Sequence, residues 1–394
     1  MSCALIFAPD SDQSAALHQQ GLLPLGETGY WAAPAALKHE AEFFQTIHAF
    51  NQKASPLHFP KDWLEGKKTE ILSQKRQKID QNELGEQLDD VFEMFGRSKR
   101  LSVVTGPPGA AKTTVTSLWS QIALAKYPAM PVVIMAQEKP ALHRLYDRIN
   151  FQGAYAWTID QALEREWPRE AAIIIDEAGL LCTETLAALL SRAEKMDAVK
   201  VILIGDDKQL VSNAPGAPFR WLCIQDVVDR IRLDVSFRQK NAPLRKAVAH
   251  IYQGRISEAL KYLQCHFLQP DQMIEQVRET LSDAVPDKTF IIVHGPAFIT
   301  ERLNVLCPGF RVLSLAAAQG LAIDRALFIL AEPINMGEML VGCSRQRYQL
   351  DLFIDAGLYA DKRQLAEGME PYPEPLMALD IIDYQTLLDI IDQA

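Results

Sequence analysis

The segment Gly106-Pro107-Pro108-Gly109-Ala110-Ala111-Lys112-Thr113-Thr114 constrains this chain most. It follows the apolar run Leu101–Thr105 directly and opens a helical stretch. Strand, glycine-rich loop and helix in that order make a phosphate-binding loop. The glycines let backbone N–H groups close around an anion, and the helix N-terminus adds its dipole. In such a loop Lys112 reaches the β- and γ-phosphates of a nucleoside triphosphate, and the Thr113 hydroxyl ligates Mg²⁺. The position before the lysine, where this loop usually has glycine, is Ala111.

A phosphate loop of this kind follows a strand of a parallel sheet, and the rest of the chain supplies further strands. Apolar runs recur at Pro131–Ala136, Ala171–Ile175, Val199–Ile204, Thr289–Val293, Arg311–Leu315, Ala326–Leu330 and Leu350–Ile354, separated by helical stretches. Near-continuous apolar strands of this length are expected where helices cover both sheet faces, so the fold class is α/β. The helical pattern of Ala242–Leu263 separates two groups of strands and divides the chain near residue 235. The expected organisation is an N-terminal accessory region (1–80), a first lobe (81–235), a second lobe (236–365) and an acidic tail (366–394). Within the accessory region, Ala4–Phe7 reads as a strand and Lys67–Lys78 as a linker or exposed helix. The tail's Leu379, Ile382, Leu387, Ile390 and Ile391 form an amphipathic stretch expected to dock on the body.

The formal charge of −10 is uneven: Asp361–Ala394 holds eight acids against two bases, leaving −4 for everything before it. A basic groove elsewhere is therefore not excluded, because steering depends on local potential. Six cysteines without a close pair read as reduced thiols of a cytoplasmic protein. No apolar run approaches the roughly 20 residues that span a bilayer, so no membrane partner is expected.

Two further motifs carry chemistry. Ile173-Ile174-Ile175-Asp176-Glu177-Ala178-Gly179 puts two carboxylates at the C-terminal end of a buried strand, the end that faces the ligand crevice in a parallel sheet. Asp176 is placed to hold Mg²⁺ and Glu177 to activate an attacking water. The strand Val199–Ile204 runs into Gly205-Asp206-Asp207-Lys208-Gln209-Leu210, where Gln209 is placed to sense the γ-phosphate and orient water.

The order of these motifs resembles that of superfamily 1 helicases, in particular the RecD-like branch and the helicase region of TraA/TraI-type conjugative relaxases. Gln87 lies 19 residues before Gly106, where that family places an adenine-contacting glutamine. Val132–Ala141 looks like the family's segment for single-stranded DNA, with Gln137-Glu138 in place of the usual proline-threonine. Trp157–Leu163 is similar to the segment after it. Leu233–Gln239 resembles the motif whose arginine, here Arg238, reaches the γ-phosphate from the second lobe. The stretch Ser314–Ala326, with Gln319 and Gly320, resembles the AQGxTxDRA motif, and Leu340–Arg347 the YVALSRxR motif, whose first arginine here is Arg345. The resemblance runs from Gln87 to Asp355 and implies two tandem RecA-like parallel-sheet lobes with a small N-terminal accessory region. It also implies ATP with Mg²⁺ bound between the lobes.

The residues that the resemblance and the motifs together assign to ATP are Gln87, Gly106–Thr114, Gln319 and Gly320. Thr113 and Asp176 fall to the metal, and Lys112, Glu177, Gln209, Arg238 and Arg345 to catalysis. Parts that pry duplexes apart look trimmed. Only 18 positions separate Thr158 from Asp176, where the branch often inserts a hairpin, and 14 residues intervene between Asn304 and Gln319, too few for its SH3-like insertion. The expected activity is an ATP-driven translocase or helicase core on single-stranded nucleic acid, DNA ahead of RNA. The alternative is a nucleotide-dependent switch that presents residues 1–80 or the acidic tail to a protein partner.

Overall fold

A computed structural model describes residues 5–8, 11–74, 94, 97, 99–149, 154–208, 214–234, 236–372 and 377–393. Among the described residues, fourteen strands fall into three sheets. The first large sheet contains β4 (Leu101–Thr105), β5 (Val132–Ala136), β6 (Tyr155–Thr158), β7 (Ala172–Asp176), β8 (Lys200–Gly205) and β9 (Asp229–Arg232). Their spatial order is β6-β5-β7-β8-β4-β9, and every pairing is parallel. All residues of β4, β5, β7 and β8 are buried, as two-sided cover by helices requires. Register places Thr105 opposite Gly205 and Ile175 opposite Leu203. The carboxyl ends of β4, β8 and β7 therefore lie side by side, and the three motifs that follow them emerge together at the carboxyl end of the sheet.

The second large sheet contains β10 (Gln264–Leu268), β11 (Thr289–His294), β12 (Arg311–Ser314), β13 (Ile323–Leu330) and β14 (Gln346–Asp355). Its order is β10-β14-β13-β11-β12, again wholly parallel. The molecule is thus α/β with two tandem RecA-like lobes. Sequence periodicity finds the apolar strands but misses β6, β9 and β10. Those three are edge strands, with exposed or half-buried positions in their runs. The expected helix over Ala242–Leu263 breaks at Gln253-Gly254, where Gly254 takes φ +77°, and resumes as the short helix Ile256–Ala259 and a 3₁₀ turn.

The N-terminal residues form a small antiparallel sheet, β1 (Leu5–Phe7), β3 (Tyr30–Ala32) and β2 (Leu23–Pro24), followed by the helix Pro34–Gln52. Leu37, Ala41, Phe43, Ile47 and Phe50 line one face of that helix at helical spacing. They join the same core as Leu186, Leu189 and Leu190 of the first lobe. Lys61–Gln74 is helical, which resolves the described part of the basic stretch; residues 75–78 lie outside the described residues.

The acidic tail docks on the body, and specifically on the first lobe. Met377, Ala378, Leu379 and Leu387 are buried in the core that the first lobe shares with the N-terminal helix. Tyr384 stacks on Phe44 at 4.3 Å, and Trp221 Nε1 donates to the Leu379 carbonyl at 3.3 Å. Buried Glu40 accepts the Ala378 and Leu379 N–H groups at 3.1 and 3.0 Å, one on each oxygen.

Candidate nucleotide site between the lobes

The loop after β4 leads into the helix Lys112–Lys126, whose N-terminus directs backbone N–H groups toward the loop. Ala111 stands at the turn with φ 63° and ψ 19°, the left-handed conformation that glycine adopts freely and alanine adopts at a cost of about 1–2 kcal/mol. The backbone therefore takes the shape the loop needs despite the extra methyl. Lys112 Nζ donates to the carbonyls of Gly106 at 2.7 Å and Pro107 at 3.1 Å, so its ammonium lies over the loop.

The Thr113 hydroxyl donates to Asp176 Oδ2 at 3.2 Å, joining the residue after the lysine to the end of β7. Burial and the neighbouring Glu177 charge push the Asp176 carboxyl up to about 6, against the opposing pull of the Glu177 N–H, Lys112 and Thr113. A cation beside it would remove that penalty. Two oxygen donors from the chain suit Mg²⁺, which keeps several waters and takes its remaining ligands from phosphate. Among the described residues no cluster of three His, Cys, Asp or Glu offers a dedicated metal cage. Glu177 also has a left-handed backbone (φ 54°), which turns the chain sharply off β7. A Cβ on Gly179 would meet the Asp206 carbonyl at 2.9 Å, so glycine there lets the ends of β7 and β8 close together.

The segment entering the second lobe lies directly on the phosphate loop. Ser236 Oγ donates to the Pro108 carbonyl at 2.7 Å, and the Phe237 N–H donates to the Gly109 carbonyl at 2.9 Å. Gly109 has φ +82°, and a Cβ there would lie 2.5 Å from Arg238 Cβ. Arg238 Nη1 donates to the Ser344 carbonyl at 3.0 Å, and buried Gln239 donates to the same carbonyl at 3.2 Å.

Arg345 follows the helix Met336–Cys343 and is 1% exposed. Its Nε donates to the Val341 carbonyl at 3.0 Å and its Nη2 to Ser344 Oγ at 2.6 Å. No carboxylate lies within ion-pair distance of it among the described residues. Burial and the like charge of Arg238 lower it to about 9, while Glu177 and Asp206 pull the other way. Two guanidinium groups held together at the rim of a phosphate loop form an electrostatic arrangement that an arriving anion would relieve.

Other expected site residues are placed less centrally. Gln319 caps the short helix Leu315–Ala318, and Gly320 follows at φ +74°. The pair adjoins the second arginine by way of Ile323, whose N–H donates to the Arg345 carbonyl at 3.1 Å. Among the described residues the Gln319 side chain makes no hydrogen bond to the phosphate loop. Gln87 and Gln209 lie outside the described residues. Gln137 and Glu138 are exposed after β5.

Sequence reasoning passed over a buried polar cluster beside the site. The Asp207 carboxylate accepts the Thr105 hydroxyl at 2.7 Å and the Tyr252 hydroxyl at 2.9 Å, and pairs with Arg232. Lys208 donates to the Tyr252 carbonyl at 2.9 Å between the rings of Tyr252 and Tyr372. The only signal in the sequence is an acid in tandem with Asp206; its partners come from 25, 45 and 102 residues away.

Residues 84–268 match a family model described as an AAA domain. The conjugal transfer protein TraA of Rhizobium radiobacter is 28% identical over 163 residues, which cover 41% of this chain and 14% of that protein. TraA of Agrobacterium fabrum is 25% identical over 179 residues, covering 45% of this chain and 16% of that one. Among solved structures, the Pif1 helicase from Bacteroides in complex with ADP-AlF3 and single-stranded DNA aligns with a TM-score of 0.46. Its identity is 11%, over 78% of this chain and 96% of that one.

Proposed function

We propose that the chain is a P-loop ATPase of the superfamily 1 helicase type, a core motor driven along single-stranded DNA by ATP; its similarity in sequence to the TraA conjugal transfer proteins supports this reading. The observation that carries this reading is Arg345: fully buried, beside Arg238, without a carboxylate partner among the described residues, and within electrostatic reach of Glu177. A purely structural arginine so deeply buried would normally be neutralised by an acid. One that serves transferring phosphate must stay uncompensated until the anion arrives.

In this reading the N–H groups of Gly106–Thr114 and the Lys112 ammonium cradle the β- and γ-phosphates. Thr113 and Asp176 hold Mg²⁺, which when bound neutralises phosphate charge. Glu177 accepts a proton from the attacking water as its oxygen bonds to the γ-phosphorus and the bond to the β–γ bridging oxygen breaks. Arg238 and Arg345 stabilise the charge on the transferring phosphoryl group, a contribution on the order of 10³–10⁵ in rate for arginines of this kind. The same reading assigns Gln209 to sensing the γ-phosphate, Gln87 to adenine, and Gln319 and Gly320 to the nucleotide. Both arginines sit on the second lobe or at its entry, so product release loosens the two lobes. Repeated closure and loosening then advances a strand that lies across both.

The test is steady-state ATP hydrolysis with and without single-stranded DNA, using Lys112→Ala and Glu177→Gln as controls. Tenfold or greater stimulation, lost in both variants, is the expected result. Hydrolysis that DNA leaves unchanged would refute the motor. It would favour the second reading, a protein-regulated switch, for which the exposed acid Glu138 at the expected strand contact speaks. Full activity in Glu177→Gln would remove that residue from its assigned role.

A further inference from the structure

We infer that Asp207 and Tyr252 are positioning residues that set the second-lobe arginine Arg345 against the phosphate loop; the inference rests on the reading of Arg345 given above. Asp207 joins two parts of the molecule, one in each lobe. On one side it accepts the hydroxyl of Thr105, the last residue of β4, whose neighbour Gly106 begins the phosphate loop. On the other it accepts the hydroxyl of Tyr252, the last residue of the second-lobe helix Ala242–Tyr252. Arg232 at the end of β9 pairs with the remaining oxygen. Lys208 reinforces the crossing by donating to the Tyr252 carbonyl.

From Tyr252 the connection to the arginine runs through packed core. Leu244, Val248 and Ile251 of its helix share one cluster with Met339, Leu340, Val341 and Cys343 of the helix Met336–Cys343. Arg345 is anchored to the end of that second helix through the Val341 carbonyl. Close-packed interiors transmit displacement and do not absorb it, so moving Tyr252 moves the arginine. The charge state suits the role. Burial alone would raise the Asp207 carboxyl, but Arg232, Thr105 and Tyr252 outweigh it and hold it below the usual carboxylate range. The Tyr252 hydroxyl is pushed up by burial and the two aspartates, and so stays a donor. The result is a charge-assisted bond, stronger than a neutral one, across the two lobes.

Mere structural support and positioning of Arg345 differ in one measurable respect. A positioning contact loses its effect once the arginine is gone, whereas a general stability contact does not. The experiment measures affinity for ADP with aluminium fluoride, which mimics the transferring phosphoryl group, relative to affinity for ADP alone. It is run on the full chain, Tyr252→Phe, Asp207→Asn, Arg345→Ala and the double variant Tyr252→Phe/Arg345→Ala, with thermal melting alongside. Tyr252→Phe and Asp207→Asn are expected to lower the ratio about tenfold while ADP affinity stays within twofold. In the Arg345→Ala background, Tyr252→Phe is expected to change the ratio less than twofold. A ratio unchanged in Tyr252→Phe, or an equal loss in both backgrounds, overturns the inference while leaving the assignment of Arg345 intact. If Arg345→Ala itself leaves the ratio unchanged, the reading of Arg345 fails, and this inference fails with it.

Discussion

Gly109 and Ala111 sit two residues apart in the same loop with left-handed backbones, yet only one of them has room for a side chain. At Gly109 an added Cβ would lie 2.5 Å from Arg238 Cβ and 2.9 Å from Ser236 Oγ. Ser236 and Phe237 are hydrogen-bonded to the loop, so the segment carrying both neighbours yields only by losing those bonds. Gly109→Ala therefore combines the left-handed penalty of about 1–2 kcal/mol with overpacking of about 1–3 kcal/mol. The total is roughly 2–5 kcal/mol, or on the order of 5–15 °C in melting temperature if a lobe-sized unit melts together. The strain can instead be relieved by lifting the 236–238 segment, which carries Arg238 off the site and lowers kcat by on the order of 100-fold. Thermal melting and single-turnover hydrolysis distinguish the two routes. Ala111→Gly is the internal control. It relieves a similar backbone penalty but gives the unfolded chain more freedom, a loss of about 0.4–1 kcal/mol. Its net effect is about 0.5 kcal/mol of added stability, with nucleotide affinity within twofold, since the backbone already holds the binding conformation. A Gly109→Ala protein that melts and turns over like the parent would refute the claim that the arginine segment is seated on the phosphate loop.

Two other outcomes follow from buried charge. Arg345→Met should lower kcat by at least 100-fold yet raise stability by about 1–3 kcal/mol in urea unfolding, because an uncompensated buried cation is replaced by an apolar side chain of similar length; destabilisation would mean that the arginine is held by partners stronger than two carbonyl and hydroxyl acceptors. Glu40 is raised from 4.5 to about 7, chiefly by burial, against the two N–H groups it accepts. The folded protein then binds more protons than the unfolded chain between those values, so the contribution of Glu40 is complete below about 4.5 and is lost as pH rises through 7. Between pH 5 and 8 the parent should lose about 2–3 kcal/mol more than Glu40→Gln; parallel curves for the two proteins would contradict this.

Local chemistry was legible in the sequence, and long-range pairing was not. The phosphate loop, the Asp176-Glu177 pair and the apolar strands announce themselves because each is a short pattern with one physical cause. Edge strands such as β9 and β10 escape because their exposed positions dilute the apolar run. The Asp207 cluster escapes for a different reason. Nothing near Asp207 in sequence says that Thr105, Arg232 and Tyr252 will surround it, and only the register of β4 against β8 brings the first of them there. The tail is intermediate: its apolar stripe implies docking, but the surface it meets depends on Glu40 and Phe44, more than 300 residues earlier.

That docking limits the motions open to the motor proposed above. The chain enters the second lobe along the phosphate loop, with Ser236 and Phe237 bonded to Pro108 and Gly109. It leaves that lobe near Tyr372, whose hydroxyl donates to the Ile251 carbonyl and whose ring lies against Lys208 of the first lobe. A few residues later Met377–Leu379 are buried in the first-lobe core. The second lobe is thus tied to the first at both of its chain ends, and both ties pass beside the nucleotide cleft. Wide separation of the lobes would require undocking the tail, which exposes Met377, Ala378, Leu379 and Leu387 and strands Glu40 without its two donors. Rotation about a line between the two ties costs neither. For the motor proposed above, a stroke that keeps the tail docked is a rotation of this kind, one that changes the position of Arg345 relative to Glu177.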